Sequence, residues 1–129
     1  MLLDSYFPKQ GSWDNEFVRR YPRMPFSVPV KFHHLRAGRT WTSTGISLDL
    51  SEGGFGALVN GKLSPDETLE VELPISNNNL RLIAIVRYCS DFGCGLEFLG
   101  LTAEERSMIA EITTQGEQAH TREIARLMR

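Results

Sequence analysis

Several things are scarce in this chain, and each shortage closes a class of explanation. There are two cysteines, Cys89 and Cys94, too few for the disulfide framework of a small secreted domain. They flank a four-residue turn and could face each other across it, with free thiols the expectation in a reducing cytoplasm and a redox or opportunistic disulfide the alternative. The three histidines, His33, His34 and His120, do not suit a metal site, because the first two are neighbours on a strand pattern and point to opposite faces while the third is far along the chain. No apolar run approaches the length of a membrane span. Asp4 interrupts Met1-Leu2-Leu3 before the apolar core of a signal peptide can develop. Charge of one sign is also lacking: 14 Lys and Arg against 16 Asp and Glu leave a formal charge of -2, which argues against capture of a nucleic-acid polymer by bulk electrostatics. No hydrolytic triad and no glycine-rich phosphate loop is legible. A soluble, cytoplasmic, non-enzymatic protein without metal or cofactor is the expectation.

What is present is a chain of 129 residues with 41% hydrophobic content, enough for one domain with one core. Residues 1–18 show neither strand nor helix periodicity and hold isolated aromatics at Tyr6, Phe7, Trp13 and Phe17, which reads as an N-terminal tail. Pro22, Pro25 and Pro29 then exclude a regular helix and favour an extended loop. From Val28 the pattern alternates, with Val30 and Phe32 on one face and Lys31 and His33 on the other. A turn at Ala37-Gly38 leads to a second strand over Thr40–Leu50, with Thr44, Ile46 and Leu48 on one side. Gly53-Gly54 breaks it, and a third strand carries Phe55, Ala57 and Val59 to the turn at Asn60-Gly61. After Ser64-Pro65-Asp66-Glu67, a strand with Leu69, Val71 and Leu73 on one face is expected to stop at Pro74. An Asn77-Asn78-Asn79 loop leads into Leu80–Cys89, and Ser90-Asp91-Phe92-Gly93 turns the chain back into Cys94–Leu99.

Six short strands with brief polar turns and no helix between them predict a mainly β fold, a six-stranded antiparallel β-barrel with a C-terminal helix. That helix starts at the capping box Thr102-Ala103-Glu104-Glu105 and has Met108, Ile109 and Ile112 as its apolar stripe, suited to plugging an open barrel end. A second helical pattern follows Thr113-Thr114-Gln115-Gly116; it reads equally as a continuation, a separate helix or a tail for a partner. The division is therefore an N-terminal tail (1–18), a barrel with its capping helix (19–113) and a helical tail (114–129). Trp41, in mid-strand, reads as core or barrel-wall packing ahead of a stacking platform.

Two short stretches carry the chemistry. Arg19, Arg20 and Arg23 lie on the proline-bearing loop, in the more basic part of the chain. A guanidinium can hold phosphate through a bidentate fork, pair with guanine O6 and N7, or stack on a base. Asp49, Ser51, Gly53 and Gly54 lie at a strand end. A carboxylate there can accept from guanine N1-H and N2-H₂, a hydroxyl can serve either partner, and glycine lets the backbone bend through positive φ and approach a flat ligand. Each stretch taken alone reads as well as solvated surface or as a hairpin corner.

Together they resemble the PilZ domain family, whose signature is Arg-x-x-x-Arg followed some tens of residues later by Asp or Asn-x-Ser-x-x-Gly. Arg19 and Arg23 match the first half; Asp49, Ser51 and Gly54 match the second. Pro29-Val30-Lys31-Phe32 and Gly95-Leu96-Glu97-Phe98 add to the likeness, which covers roughly residues 19 to 113. The resemblance implies binding of cyclic di-GMP on the outside of the barrel. Arg19 and Arg23 would hold phosphates and guanine edges, while Asp49, Ser51 and Gly54 embrace a guanine. Arg20 is an extra cation, and Val18 occupies a position thought to influence how many ligand molecules bind. The implied action is closure of the arginine loop and contact with an unidentified effector protein. Two other readings remain: a PilZ-like interaction module that does not bind the nucleotide, and a small barrel for single-stranded nucleic acid, for which only Tyr21 and Phe26 supply interleaved aromatics.

Overall fold

The computed structural model describes residues 23–128, without the side chains of residues 116–121 and 123. Alternation becomes strands β1 (Met24–Pro25), β2 (Pro29–Arg36), β3 (Arg39–Leu50), β4 (Gly54–Asn60), β5 (Thr68–Ile75), β6 (Asn78–Ser90) and β7 (Gly93–Leu99), followed by helix α1 (Ala103–Leu127). Neighbours pair antiparallel in the order β1-β3-β2-β5-β6-β7-β4, and β4 pairs again with β3. That last pairing closes six full strands into a barrel, while the two-residue β1 continues the edge of β3 that β2 occupies.

The period of two decides what fills the barrel. Val30 and Phe32 of β2, Leu69, Val71, Leu73 and Ile75 of β5, Leu82, Ala84 and Val86 of β6, and Leu96 and Phe98 of β7 all turn inward and are buried. Phe55 stacks between Phe32 and Phe98, with ring centroids 6.4 and 5.7 Å away, and such aromatic pairs add to what area burial alone provides. Helix α1 closes the core with Ile109, fully buried, and with Met108 and Ile112 partly so. Its capping box is formed as expected: Thr102 Oγ1 accepts from Glu105 N-H, and Glu105 Oε1 accepts from Thr102 N-H.

Three expectations need correction, and the choice left open beyond Thr113 resolves as a continuation of the helix. The strand carrying Leu69 does not stop at Pro74 but runs to Ile75 and hairpins directly into Asn78, with Ser76 and Asn77 both at positive φ. Pro74 is tolerated because β2 pairs with β5 only over Glu70–Glu72; beyond that, β6 is the sole strand neighbour and one backbone edge has no ladder to complete. Helix α1 continues through Gly116, at a local cost of about 1 kcal/mol relative to alanine. Cys89 and Cys94 do face each other across the β6–β7 ladder, with Cα atoms 4.1 Å apart, but they are joined as a disulfide. Trp41 is not packed into the wall: it is 40% exposed and lies parallel to the His34 ring at 4.7 Å.

The two histidines have structural partners that no sequence pattern reveals. His33 Nε2 and Arg81 Nη2 both contact Glu72 Oε2, and Asn79 Nδ2 donates to Glu72 Oε1 at 2.8 Å. Arg81 also reaches Glu70 at 3.1 Å. These donors pull the Glu72 carboxyl down to about 2 from an ordinary value near 4.5, the Asn79 hydrogen bond contributing most and His33 next. His34 lies on the inner face, its Nδ1 2.7 Å from Glu67 Oε2 and its Nε2 2.9 Å from Ser43 Oγ. The order Ser43–His34–Glu67 has the connectivity of a hydrolytic triad, but the His34 side chain is wholly buried beneath Trp41. What it does is tie the β2–β3 hairpin to the turn before β5.

Candidate ligand-binding site

The candidate site is built where β3 ends. Residues 26–28 run alongside β3 between β1 and β2, and Ser47 supplies hydrogen bonds that a regular ladder lacks there. Its hydroxyl donates to Phe26 O and accepts from Val28 N-H at 2.9 Å. Ser47 is fully buried, and these two bonds keep its inward-facing hydroxyl from being an orphaned polar group.

Immediately afterwards the β3–β4 register shifts: Ser47 faces Ala57 and Asp49 faces Gly56, leaving Leu48 as the extra residue of a β-bulge. A bulge bends its strand and re-aims the next side chain. Here it presents the Asp49 carboxylate at the outer wall. Asp49 Oδ1 accepts from Gly56 N-H at 2.9 Å, while Arg23 Nη1 donates to Oδ1 and Oδ2 at 3.2 and 3.4 Å. Arg23 is brought there because Met24 and Pro25 pair with Leu50 and Asp49. Both side chains stay partly open, Arg23 22% and Asp49 31% exposed, so neither has been taken out of water.

Ser51, Gly53 and Gly54 form the adjoining turn. Ser51 Oγ accepts from the N-H groups of Gly53 and Gly54, both at 3.2 Å, and donates to Gly54 O at 3.3 Å; Ser51 N-H donates to the same carbonyl at 2.8 Å. With only 5% of Ser51 exposed, its hydroxyl shapes the turn and does not point outward. Gly53 O accepts from Phe98 N-H at 2.9 Å. Neither glycine takes a positive φ, contrary to expectation. Gly54 is required for another reason: a Cβ there would stand 2.0 Å from Leu96 O of β7.

The structure thus joins Arg23 to Asp49 and sets both beside the Ser51–Gly54 turn. Arg19 and Arg20 lie outside the described residues. Ser47 and Gly56 were missed by sequence reasoning. The signal for Gly56 was there, since a glycine inside a strand implies a close approach, and a Cβ on it would lie 3.1 Å from Asp49 Oδ1. Chemically, the corner offers a carboxylate and a guanidinium that are paired with each other, and each can exchange that pairing for a ligand bearing the opposite pattern. Among the described residues, no cluster of three or more His, Cys, Asp or Glu side chains is placed to hold a metal, and no helix is long and apolar enough to cross a membrane. A separate groove of about 570 Å³ runs under the β2–β3 hairpin past Trp41, His33 and Arg81; no signature residue lines it.

A closed barrel of this topology with its capping helix defines a class, and comparison with known proteins identifies it. The model of the PilZ domain matches residues 17–115, so the chain belongs to the PilZ domain family. Among solved structures it is similar to the PilZ domain of YcgR from Escherichia coli with c-di-GMP, at a TM-score of 0.63 and 20% identity over 83% of this chain and 96% of that one. YcgR from Escherichia coli in complex with c-di-GMP gives 0.62 and 23% over 86% of this chain and 50% of that one. The PilZ domain of CeSA from a cellulose-synthesising bacterium gives 0.58 and 19% over 74% and 98%. A search of the curated proteins gives no match.

Proposed function

We propose that this chain is a receptor for cyclic di-GMP with no catalytic role, and that it passes the signal to an effector protein. The observation that carries the proposal is the pairing of Arg23 with Asp49 on the barrel's outer wall. It brings one residue from each half of the family signature to a single point, and two similar solved structures hold c-di-GMP.

On this reading the ligand replaces each partner of the ion pair. Asp49 accepts from guanine N1-H and N2-H₂, while Arg23 turns to a phosphate or to guanine O6 and N7. Arg19 and Arg20 close from the loop. Ser51, Gly53 and Gly54 act by holding the turn flat against β7, leaving a platform free of side chains. Binding therefore trades an intramolecular ion pair for several charge-assisted bonds, each worth about 1.5–3 kcal/mol, and the loop closes as its charges are neutralised. Residues 19–113 form the receptor, with residues 1–18 and 114–129 as the segments that report its state. The protein acts in the cytoplasm, where the thiol pool opens the Cys89–Cys94 bridge and strand pairing alone keeps the hairpin closed.

One observation favours the second reading, an interaction module that binds no nucleotide: Asp49 is already satisfied by Arg23 and by Gly56 N-H. A thermal-shift assay with cyclic di-GMP, GMP and a short oligonucleotide separates the readings, since a ligand of the folded state raises stability by RT ln(1 + [L]/Kd). The receptor shifts with cyclic di-GMP alone. The module shifts with none of the three, and a shift with the oligonucleotide favours a nucleic-acid barrel.

A further inference from the structure

The outer face of β3 begins polar and ends apolar. Thr40, Thr42 and Thr44 are followed on that face by Ile46 and Leu48, 51% and 43% exposed. Ile46 stands directly opposite Leu58 across the β3–β4 ladder, and Leu58 is 49% exposed. The Leu48 side chain extends to the β6–β7 turn, its Cδ1 3.4 Å from where a Gly93 Cβ would be. Phe92, at the tip of that turn, is 85% exposed. These four side chains make an apolar patch spanning three structural elements, of the kind that marks an interaction surface. It abuts the candidate site, since Leu48 immediately precedes Asp49.

We propose that this patch is the docking surface for the chain's own N-terminal segment, residues 1–18, held in cis through aromatics that include Trp13 and Phe17. The argument rests on where that segment is tethered. Arg23 is the first described residue; Met24 pairs antiparallel with Leu50, so Arg23 stands just beyond the end of β3 with its guanidinium on Asp49, and the segment before it would reach the patch by folding back along β3. At about 3.3–3.6 Å per extended residue, Phe17 can reach roughly 20 Å from Arg23 and Trp13 roughly 33 Å. Ile46, about five residues along β3 from the point opposite Arg23, is roughly 17 Å away. The segment's Tyr6, Phe7, Trp13 and Phe17 match the patch in character. A short tether holds them at an effective concentration on the order of millimolar, well above that of a second copy at micromolar protein. Docking depends only on the patch and the tether. Its link to the nucleotide rests on the function proposed above: Arg19 and Arg20 lie between the tether point and Phe17, so a ligand that draws them onto the wall changes where the segment lies.

The test uses the full chain carrying Trp41→Phe, which leaves Trp13 as the only tryptophan. Without ligand, docking predicts Trp13 emission at shorter wavelength than an exposed indole and at least twofold protection from acrylamide quenching, both independent of protein concentration. Adding Ile46→Ser with Leu58→Ser should return Trp13 to exposed values; Phe92→Ser, at a site too open to disturb folding, should do so in part. Circular dichroism confirms the barrel in each variant. The proposal is overturned if Trp13 is exposed in the parent, if its emission ignores all three substitutions, or if protection disappears on dilution, which would assign the patch to a second copy. No arm of this test contains nucleotide. Failure to bind cyclic di-GMP would therefore remove the receptor reading and leave the docking result standing, and the reverse also holds.

Discussion

Two parts of this barrel wall use the same chemistry for opposite ends. At the close of β3, Asp49 meets, among the described residues, one guanidinium and one backbone N-H. On the β2–β5–β6 face, Glu72 is gripped by His33, Arg81 and Asn79, and Arg81 is gripped again by Glu70. The first arrangement can be exchanged, because a ligand that replaces one partner replaces most of what the carboxylate has. The second is locked, because several donors on two strands would have to part together. A carboxylate on a sheet surface is thus a candidate for ligand binding when its partners are few and separable, and a structural clamp when they are many and cross-linked.

The comparison can be broken most forcefully at the platform itself. Gly54→Ala places a Cβ against Leu96 O and should destabilise the barrel by about 3 kcal/mol, the upper end of overpacking, read as a fall in the denaturation midpoint. If stability is unchanged, the claimed contact with β7 is wrong. Next in size, Arg23→Ala or Asp49→Ala should weaken cyclic di-GMP binding tenfold or more, a loss of at least about 1.4 kcal/mol. Glu72→Gln, by contrast, should lower the melting temperature and leave affinity alone. Equal effects of both carboxylates on affinity would erase the distinction between corner and clamp.

The Glu72 clamp also has a pH signature. Its carboxyl titrates at about 2 in the folded protein against an ordinary 4.5, so the unfolded state binds the proton more readily. The clamp's contribution is complete above pH about 4.5 and is lost as pH falls toward 2. Glu72→Gln should flatten that part of the stability profile in acid unfolding monitored by circular dichroism; an unchanged slope would show that the network does not hold the carboxylate as described. The smallest effect is expected from Ser51→Ala. It removes the bonds to Gly53, Gly54 and the Gly54 carbonyl and should cost about 1 kcal/mol of stability with less than a threefold change in affinity. A tenfold loss of affinity would mean that the hydroxyl turns outward to the ligand after all.

The parts of this account that were legible in sequence are those governed by local rules. Alternation in Val30–Phe32 and Leu69–Val71–Leu73, the turn at Ala37-Gly38 and the capping box at Thr102 each follow from a few neighbouring residues, and each appears where expected. Contacts fixed by register were not legible. Nothing near Glu72 in the chain announces His33, thirty-nine residues away, and nothing in the run Thr44, Ile46, Leu48 says that this apolar face turns to the outside. That orientation follows from the buried Ser47, which must face inward to serve Phe26 and Val28. At the site, the two halves of the signature were readable as residue types, but the division of labour within the second half was not. Ser51 and Gly54 serve the turn and the β7 contact, which leaves Asp49 as the member of that half offered to solvent as a hydrogen-bonding side chain.

The most direct test of the exchange at this corner is calorimetric titration of cyclic di-GMP into the unaltered chain and into Asp49→Ala. Alanine removes both carboxylate acceptors, which the asparagine that the family signature also accepts would not. The account predicts saturable binding by the unaltered chain, at least tenfold weaker binding by Asp49→Ala, and an intact barrel by circular dichroism in both proteins without ligand. Binding of equal strength in both, or in neither, would contradict it.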